Sequence, residues 1–307
     1  MAKKIKDPGL GYNSNKNVQS FVKQDGTSNI LHLNRERNLD DLYTYLLGLS
    51  WTVFISIVVL GFVLINTGFA LIYLWIGIEE LTASTGNMWH DFLNAFFFSA
   101  QTVTTVGYGA ISPSGIAAGI VSSIEALLGL MSFSFITGLL YGRFSKPKAS
   151  IRFSKTIVLR EFEKERALMF RLTNKRTSIM IEPEIKVTLT ITEVDKKGDF
   201  KRSFYQLSLE REKITYLTTM WTIVHKISKE SPLFKYTDQE LKKLNAKIYI
   251  LFQYHEDSFS QKLYQMHSYD FEDLKINEKF ISSVQFSEEG QILLDHELLD
   301  KTESHNY

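Results

Sequence analysis

Five consecutive residues have the types and the order that ion coordination requires. They are Thr105, Val106, Gly107, Tyr108 and Gly109. In a loop of this kind, backbone carbonyl oxygens from several chains point at a common axis and replace the hydration shell of a potassium ion. Successive carbonyls face one way only if the backbone alternates its conformation, which requires glycine where φ is positive. The string therefore predicts potassium ions bound at Thr105, Val106, Gly107 and Tyr108.

The side chains of this loop also have predicted roles. The Thr105 hydroxyl can add a ligand at the inner end, and the Tyr108 ring can brace the loop from behind against a supporting helix. Because five residues can occur by chance in a water-soluble protein, the surrounding segments decide the interpretation. One such loop per chain cannot close a four-fold ring by itself, so the sequence predicts a homotetramer.

Two long apolar segments flank the loop. Residues 51–78 and 116–141 are each long enough to cross a bilayer core of about 30 Å as a helix. No charged residue lies between Asp41 and Glu79, and Glu125 is the only one between Asp91 and Arg143. These segments are predicted to be two transmembrane helices.

The basic residues predict the orientation in the membrane. None lies between Asn38 and Gly142, whereas both flanks of this region carry several. Because Lys and Arg concentrate on the cytoplasmic side, we expect the segment between the spans to face outside and both termini to be cytoplasmic. The polar first 30 residues lack the apolar run of a secretory signal. The first span is therefore expected to be retained, which predicts a multi-pass protein of a cell membrane.

Two shorter helices are expected beside the spans. Residues 38–49 mix acidic and apolar side chains, as in a helix that lies in the membrane interface. The alternative is an extension of the first span, which would place Asp40 and Asp41 below the headgroups at a high cost. His90 to Val103 is apolar but too short to cross, which predicts a re-entrant helix leading into the loop.

Beyond Pro147 the pattern changes to short alternating runs that predict strands. The runs cover residues 167–172, 185–194, 204–209, 214–219, 247–254 and 280–286. Turns at 197–199 and 289–291 contain glycine, and residues 237–244 suit one short helix. The predicted fold is a membrane α-helical two-span pore domain followed by a cytoplasmic all-β, antiparallel, immunoglobulin-like sandwich. The predicted divisions are an N-terminal segment (1–37), an interfacial helix (38–49), the pore domain (50–145) and the sandwich (146–307).

The second span carries five residues at a four-residue spacing, which places them on one slowly drifting helix face. They are Glu125, Gly129, Phe133, Thr137 and Tyr141. We predict that this face lines a cavity below the loop. A carboxyl within a membrane indicates function, so Glu125 could attract cations or hydrogen-bond the support of the loop. The alternative is a protonated or buried structural carboxyl.

The same span offers a gate and two flexing points. Four Tyr141 rings at the cytoplasmic end could form a constriction that closes partly by dewetting. The alternative is an interface tyrosine without a gating role. Gly129 and Gly138 are candidate hinges, or glycines that allow close helix packing.

Composition argues against several other classes of protein. The chain has no cysteine, its seven histidines lack metal-ligand spacing, and its net charge of +1 gives no ground for nucleic-acid binding. No catalytic constellation or organic cofactor site stands out, so we predict no enzyme. Only two glycines follow Gly142, too few for a GxGxxG nucleotide-binding unit, and there is no basic helix for voltage sensing. A receptor with a vestigial pore would leave the TVGYG string unexplained.

Four further segments narrow the prediction. They are FVKQDG at 21–26 followed by Asn29, the segment 40–51, RFSKPKA at 143–149, and WTIVHKI at 221–227 with ESPL at 230–233. With the TVGYG string, they resemble the inward-rectifier potassium channel family, most closely its prokaryotic branch. The resemblance runs through nearly the whole chain.

This resemblance implies a homotetramer in a bacterial inner membrane that conducts potassium passively, without voltage-dependent gating. The cytoplasmic sandwiches would extend the pore and gate it from the cytoplasmic side. Anionic phospholipids would modulate the channel through Arg143, Lys146 and Lys148, each worth about 1 kcal/mol near an anionic leaflet. The alternative is that these residues only anchor the span. Mg²⁺, Ba²⁺ and polyamines are the blockers that the resemblance implies.

Three positions depart from the family pattern. Phe133 occupies the position where strong rectifiers carry an acid, so block by magnesium or polyamines should be weak unless Glu125 substitutes. Gln101 replaces a glutamate in the re-entrant helix, and Ala110 follows the loop where relatives often have Arg or Asp. Because of these departures, the structural support of the loop is less well predicted than its selectivity for potassium.

Overall fold

The computed structural model describes residues 3–15, 19–23, 25–34, 40–82, 84–145, 147 and 149–304. The chain divides into two compact units. Residues 34–146 form one, and residues 1–33 together with 147–307 form the other. The N-terminal residues, predicted as a segment of their own, thus group with the β domain up to Leu33.

In its described part, the first unit contains four α-helices. They are α1 (Asp40–Gly48), α2 (Trp51–Ile76), α3 (Met88–Val103) and α4 (Ile116–Phe144). α2 and α4 are long and apolar enough to cross a membrane, with mean hydropathies of 2.4 and 1.8. α1 is separate from α2, as predicted, because the Ser50 hydroxyl accepts the Val53 N–H at 3.4 Å and begins a new helix.

Local polar groups fix both ends of α3. The Asn87 side chain accepts the N–H groups of Trp89 and His90 at 3.0 and 3.3 Å, which caps the first turn. At the other end, the Thr104 hydroxyl donates to the Ala100 carbonyl at 2.7 Å. With 16 residues, α3 is about 24 Å long, too short to cross a bilayer core. It delivers the chain to the loop that begins at Thr105.

The buried core of this unit joins α2, α3 and α4. It contains Ala70 and Tyr73 of α2, Ala95 and Phe98 of α3, and Ala118 of α4. The Tyr73 and Phe98 rings meet edge to face with their centroids 5.2 Å apart. Many other apolar side chains of α2 and α4 are exposed in the single chain. Such extended apolar surfaces are typical of contact with lipid or with further chains.

The second unit is an all-β domain of two sheets. The larger sheet contains, in its described part, β1 (Lys3–Ile5), β5 (Met180–Val194), β6 (Phe200–Leu207), β7 (Tyr216–Leu217), β9 (Ala246–Glu256) and β10 (Gln261–Asp270). The smaller sheet contains β2 (Ile151–Phe153), β3 (Ile157–Phe162), β4 (Glu165–Asn174), β8 (Met220–Lys226) and β11 (Leu274–Ile276). Two further two-stranded antiparallel sheets pair β12 (Glu278–Phe280) with β15 (Thr302–Ser304), and β13 (Val284–Phe286) with β14 (Ile292–Leu294).

The inner faces of the two sheets share one hydrophobic core. Leu189 and Phe252 come from the larger sheet, and Leu172 and Ile223 from the smaller one. This arrangement confirms the predicted sandwich. The predicted short helix is α5 (Asp238–Lys243), where Thr237 and Glu240 form a capping box.

Several strand predictions differ from the structure. Residues 280–286 do not form one strand, because β12 ends at Phe280 and β13 begins at Val284, each with a different partner. The parallel pairing of β11 with β3 departs from an all-antiparallel sandwich. The glycine-containing turns at 197–199 and 289–291 do join consecutive strands, as predicted.

Strand β1 explains why the N-terminal residues belong to the β domain. It pairs antiparallel with β6, with Lys4 opposite Tyr205. The Arg202 guanidinium then donates to the carbonyls of Leu10 and Gly11, both at 3.1 Å. A short segment without a core of its own is thereby held by a sheet edge.

Candidate functional site

The loop after α3 has the backbone conformation that its glycines predict. φ is +52° at Gly107 and +81° at Gly109, and Thr105 also has a positive φ of +59°. A β-branched residue rarely adopts such a φ, so Thr105 is a strained position. All residues from Thr105 to Gly109 are exposed in the single chain.

The end of α3 holds the amide groups of this loop. The Val106 N–H donates to the Gln101 carbonyl at 2.9 Å, and the Gly107 N–H reaches the same oxygen at 3.4 Å. Since these N–H groups turn back toward α3, the carbonyl oxygens are the groups that the loop can offer to a cation. This contact uses the backbone of Gln101, so it does not depend on the glutamine side chain at that position.

Tyr108 does not brace the loop within its own chain. Its ring is 78% exposed in the single chain, so the predicted brace against a supporting helix is not formed within one copy. A ring of this size can support the loop only when it packs against another surface. The described residues of the single chain leave most of the Tyr108 ring uncovered. Its sequence neighbour Val106 is also exposed.

Glu125 lies at the centre of a buried polar network. Its carboxyl is 0% exposed. It accepts the Tyr73 hydroxyl of α2 at 2.6 Å and is hydrogen-bonded to the Ser99 hydroxyl of α3. The Ser99 hydroxyl also contacts the Asn66 side-chain oxygen at 2.8 Å. The network thus joins the three helices α2, α3 and α4.

This placement corrects the prediction that Glu125 lines a cavity with Phe133 and Tyr141. In an α-helix, a side chain four residues further along points about 40° away from the first. The four such steps from Glu125 to Tyr141 therefore rotate the side-chain direction by about 160°. Glu125 consequently faces α2 and α3, whereas Phe133 and Tyr141 are 70% and 74% exposed. The residues at four-residue spacing do not share one face.

Gly129 allows α4 to approach the end of α3. A Cβ atom at this position would collide with the backbone of Val103. This favours the close-packing interpretation of Gly129 over the hinge. Gly138 is different, because a Cβ there would meet no atom within 4 Å. Gly138 and Thr137 lie on the exposed part of the helix.

Arg143 reaches from the end of α4 to the end of α1. Its guanidinium donates to the carbonyls of Leu46 and Leu49 at 2.7 and 2.6 Å, and contacts that of Leu47 at 3.3 Å. The guanidinium also lies 4.7 Å from the centre of the Trp51 ring. Arg143 was predicted to contact lipid, but in this structure its donors hold the last turn of α1.

The two other predicted lipid-contact residues, Lys146 and Lys148, lie outside the described residues. The described chain therefore contains one member of the predicted basic cluster, and that member has protein partners. Among the described residues, no group of His, Cys, Asp or Glu side chains is arranged to hold a metal ion.

Acidic groups fix the turns outside the spans. The Glu80 carboxylate accepts the Ala118 N–H at 2.9 Å and so holds the start of α4. The hydroxyl and N–H groups of Thr85 both donate to Asp91 at 2.7 Å, and these bonds lower the pKa of that carboxyl. The turns around the loop are thus held by hydrogen bonds from named side chains.

Sequence reasoning missed three residues of the buried network, namely Asn66, Tyr73 and Ser99. A polar residue in the middle of an apolar span is the signal that could have identified Asn66. Tyr73 is a fully buried ring near the end of α2, where an aromatic residue by itself indicates no polar partner. Ser99 is a small hydroxyl residue in a short helix, which by itself indicates no partner.

Comparison with known proteins follows the division of the chain. Residues 151–306 match the sequence model of the inward rectifier potassium channel C-terminal domain. Residues 52–146 match the model described as ion channel. Together these two matches cover the β domain and the helical unit that carries the loop.

Several characterised proteins are similar over most of this chain. Inward rectifier potassium channel Kirbac3.1 of Paramagnetospirillum magnetotacticum is 34% identical over 277 residues, which cover 90% of this chain and 92% of that protein. Inward rectifier potassium channel 18 of Homo sapiens is 25% identical, covering 92% of this chain and 70% of that protein. G protein-activated inward rectifier potassium channel 2 of Mus musculus is 28% identical, covering 76% of this chain and 60% of that protein.

Proposed function

The chain belongs to the inward rectifier potassium channel family, and on that premise we propose that four copies form a potassium-selective pore gated from the cytoplasmic side. Membership of this family makes it a multi-pass membrane ion channel and not an enzyme. The selectivity, the tetramer, the gate and the lipid response are the parts that we propose.

The loop at Thr105–Gly109 carries the proposal. Its N–H groups turn back to the Gln101 carbonyl, and its remaining face is exposed in the single chain. Four such loops around one axis would present rings of carbonyl oxygens, with the Thr105 hydroxyl at the inner end. The ions held there would be K⁺ at Thr105, Val106, Gly107 and Tyr108.

Exposed side chains support the homotetramer. Val106 and Tyr108 are exposed beside the loop, and a loop at membrane depth is tolerated only where protein or a water-filled space covers it. Neighbouring copies would provide that cover. Tyr108 would then brace the filter against the α3 helix of the next subunit rather than against its own.

The exposed part of α4 supports a gate near its cytoplasmic end. Phe133, Thr137 and Tyr141 would line the inner cavity, with four Tyr141 rings forming the constriction. Gly138 stands in open space, which suits a flexing point. Phe133 supplies no carboxylate for Mg²⁺ or polyamines, and Glu125 is buried, so block by these cations should be weak.

Anionic phospholipids are the proposed modulators, with both termini and the β domain in the cytoplasm of a bacterial cell. Arg143 would act by holding α1 at the interface, and Lys146 and Lys148 by attracting anionic headgroups. Variants K146Q and K148Q should then change only the response to anionic lipid. R143Q should also change conduction in neutral lipid, since it releases α1. An unchanged lipid response in K146Q/K148Q would remove those lysines from the mechanism.

The channel proposal is tested by rubidium uptake into liposomes that contain the purified protein. We expect uptake that depends on a potassium gradient and is blocked by barium. The variant G107A should abolish it, because alanine disfavours the positive φ of that position. G198A is the matched control, since Gly198 has φ of +87° in a turn of the β domain. Absent uptake in the wild type, or equal uptake of sodium, would contradict the proposal.

A further inference from the structure

If Glu125 were ionised, the buried network around it would contain more hydrogen-bond contacts than protons to donate. The Ser99 hydroxyl lies within hydrogen-bond distance of both the Asn66 side-chain oxygen and the Glu125 carboxyl. The Tyr73 hydroxyl donates to the other carboxyl oxygen at 2.6 Å. The four side chains are buried among themselves, each at 0% exposure.

The orientation of the Asn66 amide is fixed by its second contact. Its Nδ2 donates to the Phe62 carbonyl at 2.6 Å. A carbonyl is only an acceptor, so the nitrogen must face Phe62 and the oxygen must face Ser99. The Asn66 oxygen therefore requires the single proton of the Ser99 hydroxyl.

Counting the protons then determines the state of Glu125. Once the Ser99 proton is donated to Asn66, the contact between Ser99 Oγ and Glu125 Oε1 has no donor unless Oε1 carries a proton. With a proton on Oε1, Glu125 donates to Ser99, Ser99 donates to Asn66, and Tyr73 donates to Glu125 Oε2. Each contact then has one donor and one acceptor, as buried polar groups require.

The position of the network connects it to the loop. Ser99 is two residues before Gln101, whose carbonyl accepts the Val106 and Gly107 N–H groups. Glu125 lies one helical turn before Gly129, where α4 meets the backbone of Val103. The last turns of α3 are therefore held through Ser99 and through contact at Val103, both from the same part of α4.

We propose that Glu125 is a neutral carboxylic acid that positions the potassium loop by donating a hydrogen bond to Ser99. It does not contact the ion and supplies no negative charge to the cavity. This proposal rests on the proposed channel function, and it adds the residue that keeps α3 and its loop in place.

Isosteric substitution tests the protonation state. In E125Q, the side-chain nitrogen can donate to Ser99 while the oxygen accepts from Tyr73, so the whole network is preserved. We expect E125Q to keep rubidium uptake and the potassium-to-sodium permeability ratio within about twofold of wild type, as for a substitution that leaves every buried partner satisfied. E125D, which retains the acid but is one methylene shorter, should lower both by about tenfold or more, since it leaves buried partners unpaired.

Two serine variants separate the network from a general effect on the span. S99A removes the link between α3 and α4, and we expect it to lower the permeability ratio as E125D does. S123A is the matched control, because the Ser123 hydroxyl is exposed and donates to the Gly119 carbonyl within its own helix. It should behave as wild type. Wild-type uptake alone tests the channel proposal, whereas the ratios among these variants test the role of Glu125.

Infrared spectroscopy measures the proton directly, without relying on conduction. The difference spectrum between wild type and E125Q in liposomes at neutral pH should contain the C=O stretching band of a protonated carboxylic acid. A carboxylate band in its place would overturn the proposal. Loss of uptake in E125Q to the level of E125D, or unchanged selectivity in both E125D and S99A, would also overturn it.

Discussion

Arg143 shows how one side chain can connect two helix ends. Its guanidinium donates to the Leu46 carbonyl in the last turn of α1 and to the Leu49 carbonyl just beyond it. The last carbonyls of a helix have no N–H donor within the helix, so they need such a partner. It also faces the rings of Trp51 and Phe54, at 4.7 and 4.6 Å from their centres. A planar fork with several donors can make these contacts together, whereas a lysine ammonium cannot.

The variant R143K is therefore expected to loosen α1. Loss of these bonds should cost about 1–3 kcal/mol, as when buried acceptors lose a charged donor. Hydrogen exchange of residues 40–49, measured by mass spectrometry on the protein in liposomes, should become correspondingly faster. R211K, at an exposed position of the β domain, is the control. Unchanged exchange in R143K would show that the arginine does not hold α1.

His225 gives the β domain a defined response to pH. It lies in β8, with Nδ1 at 2.8 Å from the Ser208 carbonyl and Nε2 at 2.8 Å from the Ser231 hydroxyl. Burial lowers its pKa, although the bond to Ser208 acts in the opposite direction. Below its unfolded pKa of about 6.5, the unfolded chain thus binds more protons than the folded one. This histidine therefore reduces stability as the pH falls.

Thermal unfolding at a series of pH values tests this role of His225. The unfolding free energy should decrease as the pH is lowered past about 6.5. One histidine can contribute at most about 1.4 kcal/mol per pH unit to this decrease. H225N keeps a donor for Ser208 but does not titrate, so its slope should be shallower. H32N, at an exposed position, should keep the wild-type slope. Equal slopes in H225N and wild type would contradict the assignment.

At the scale of the helices, α4 approaches α3 closely at Gly129. A Cβ at that position would collide with Val103, whereas at Gly138 it would meet open space. G129A should destabilise the protein by about 1–3 kcal/mol, as overpacking does, and should lower rubidium uptake. G138A is the matched control for stability alone, and its unfolding free energy should be unchanged or slightly higher, since alanine favours a helix by up to about 1 kcal/mol.

Thermal unfolding in detergent and rubidium uptake in liposomes measure the two effects. If G129A unfolds at the wild-type temperature and conducts as wild type does, the close approach has no energetic importance. If G138A lowers uptake while stability is unchanged, Gly138 acts as the flexing point.

The elements were predictable where charge and hydropathy set their limits. α2 was predicted within two residues because no charged side chain interrupts it. α4 continues three residues beyond the predicted end at Tyr141, because the charge of Arg143 is satisfied by carbonyls of α1. That compensation comes from a segment almost a hundred positions away, and no local pattern contains it.

Predictions about faces were less successful than predictions about elements. The four-residue spacing in α4 suggested one face, but its accumulated rotation of about 160° separates Glu125 from Tyr141. The partners of Glu125 come from α2 and α3, so only the packed helices reveal them. In the β domain, the break between β12 and β13 depends on which strand each one pairs with.

At the scale of the whole molecule, the single chain is incomplete around the proposed potassium loop. Thr105 to Gly109 are exposed, and so are many apolar side chains of α2 and α4. The two units are stabilised differently. The β domain has a continuous hydrophobic core between its two sheets. The helical unit has a smaller core, and lipid and the further copies that we propose would cover its exposed apolar surface.

The reversal potential of single channels in a planar bilayer tests the central claim most directly. With potassium on one side and sodium on the other, four loops of the Thr105–Gly109 type should give a current that reverses close to the potassium equilibrium potential, and barium should block it. A reversal potential near zero, which indicates equal permeability to both ions, would contradict the account of this chain as a potassium-selective channel.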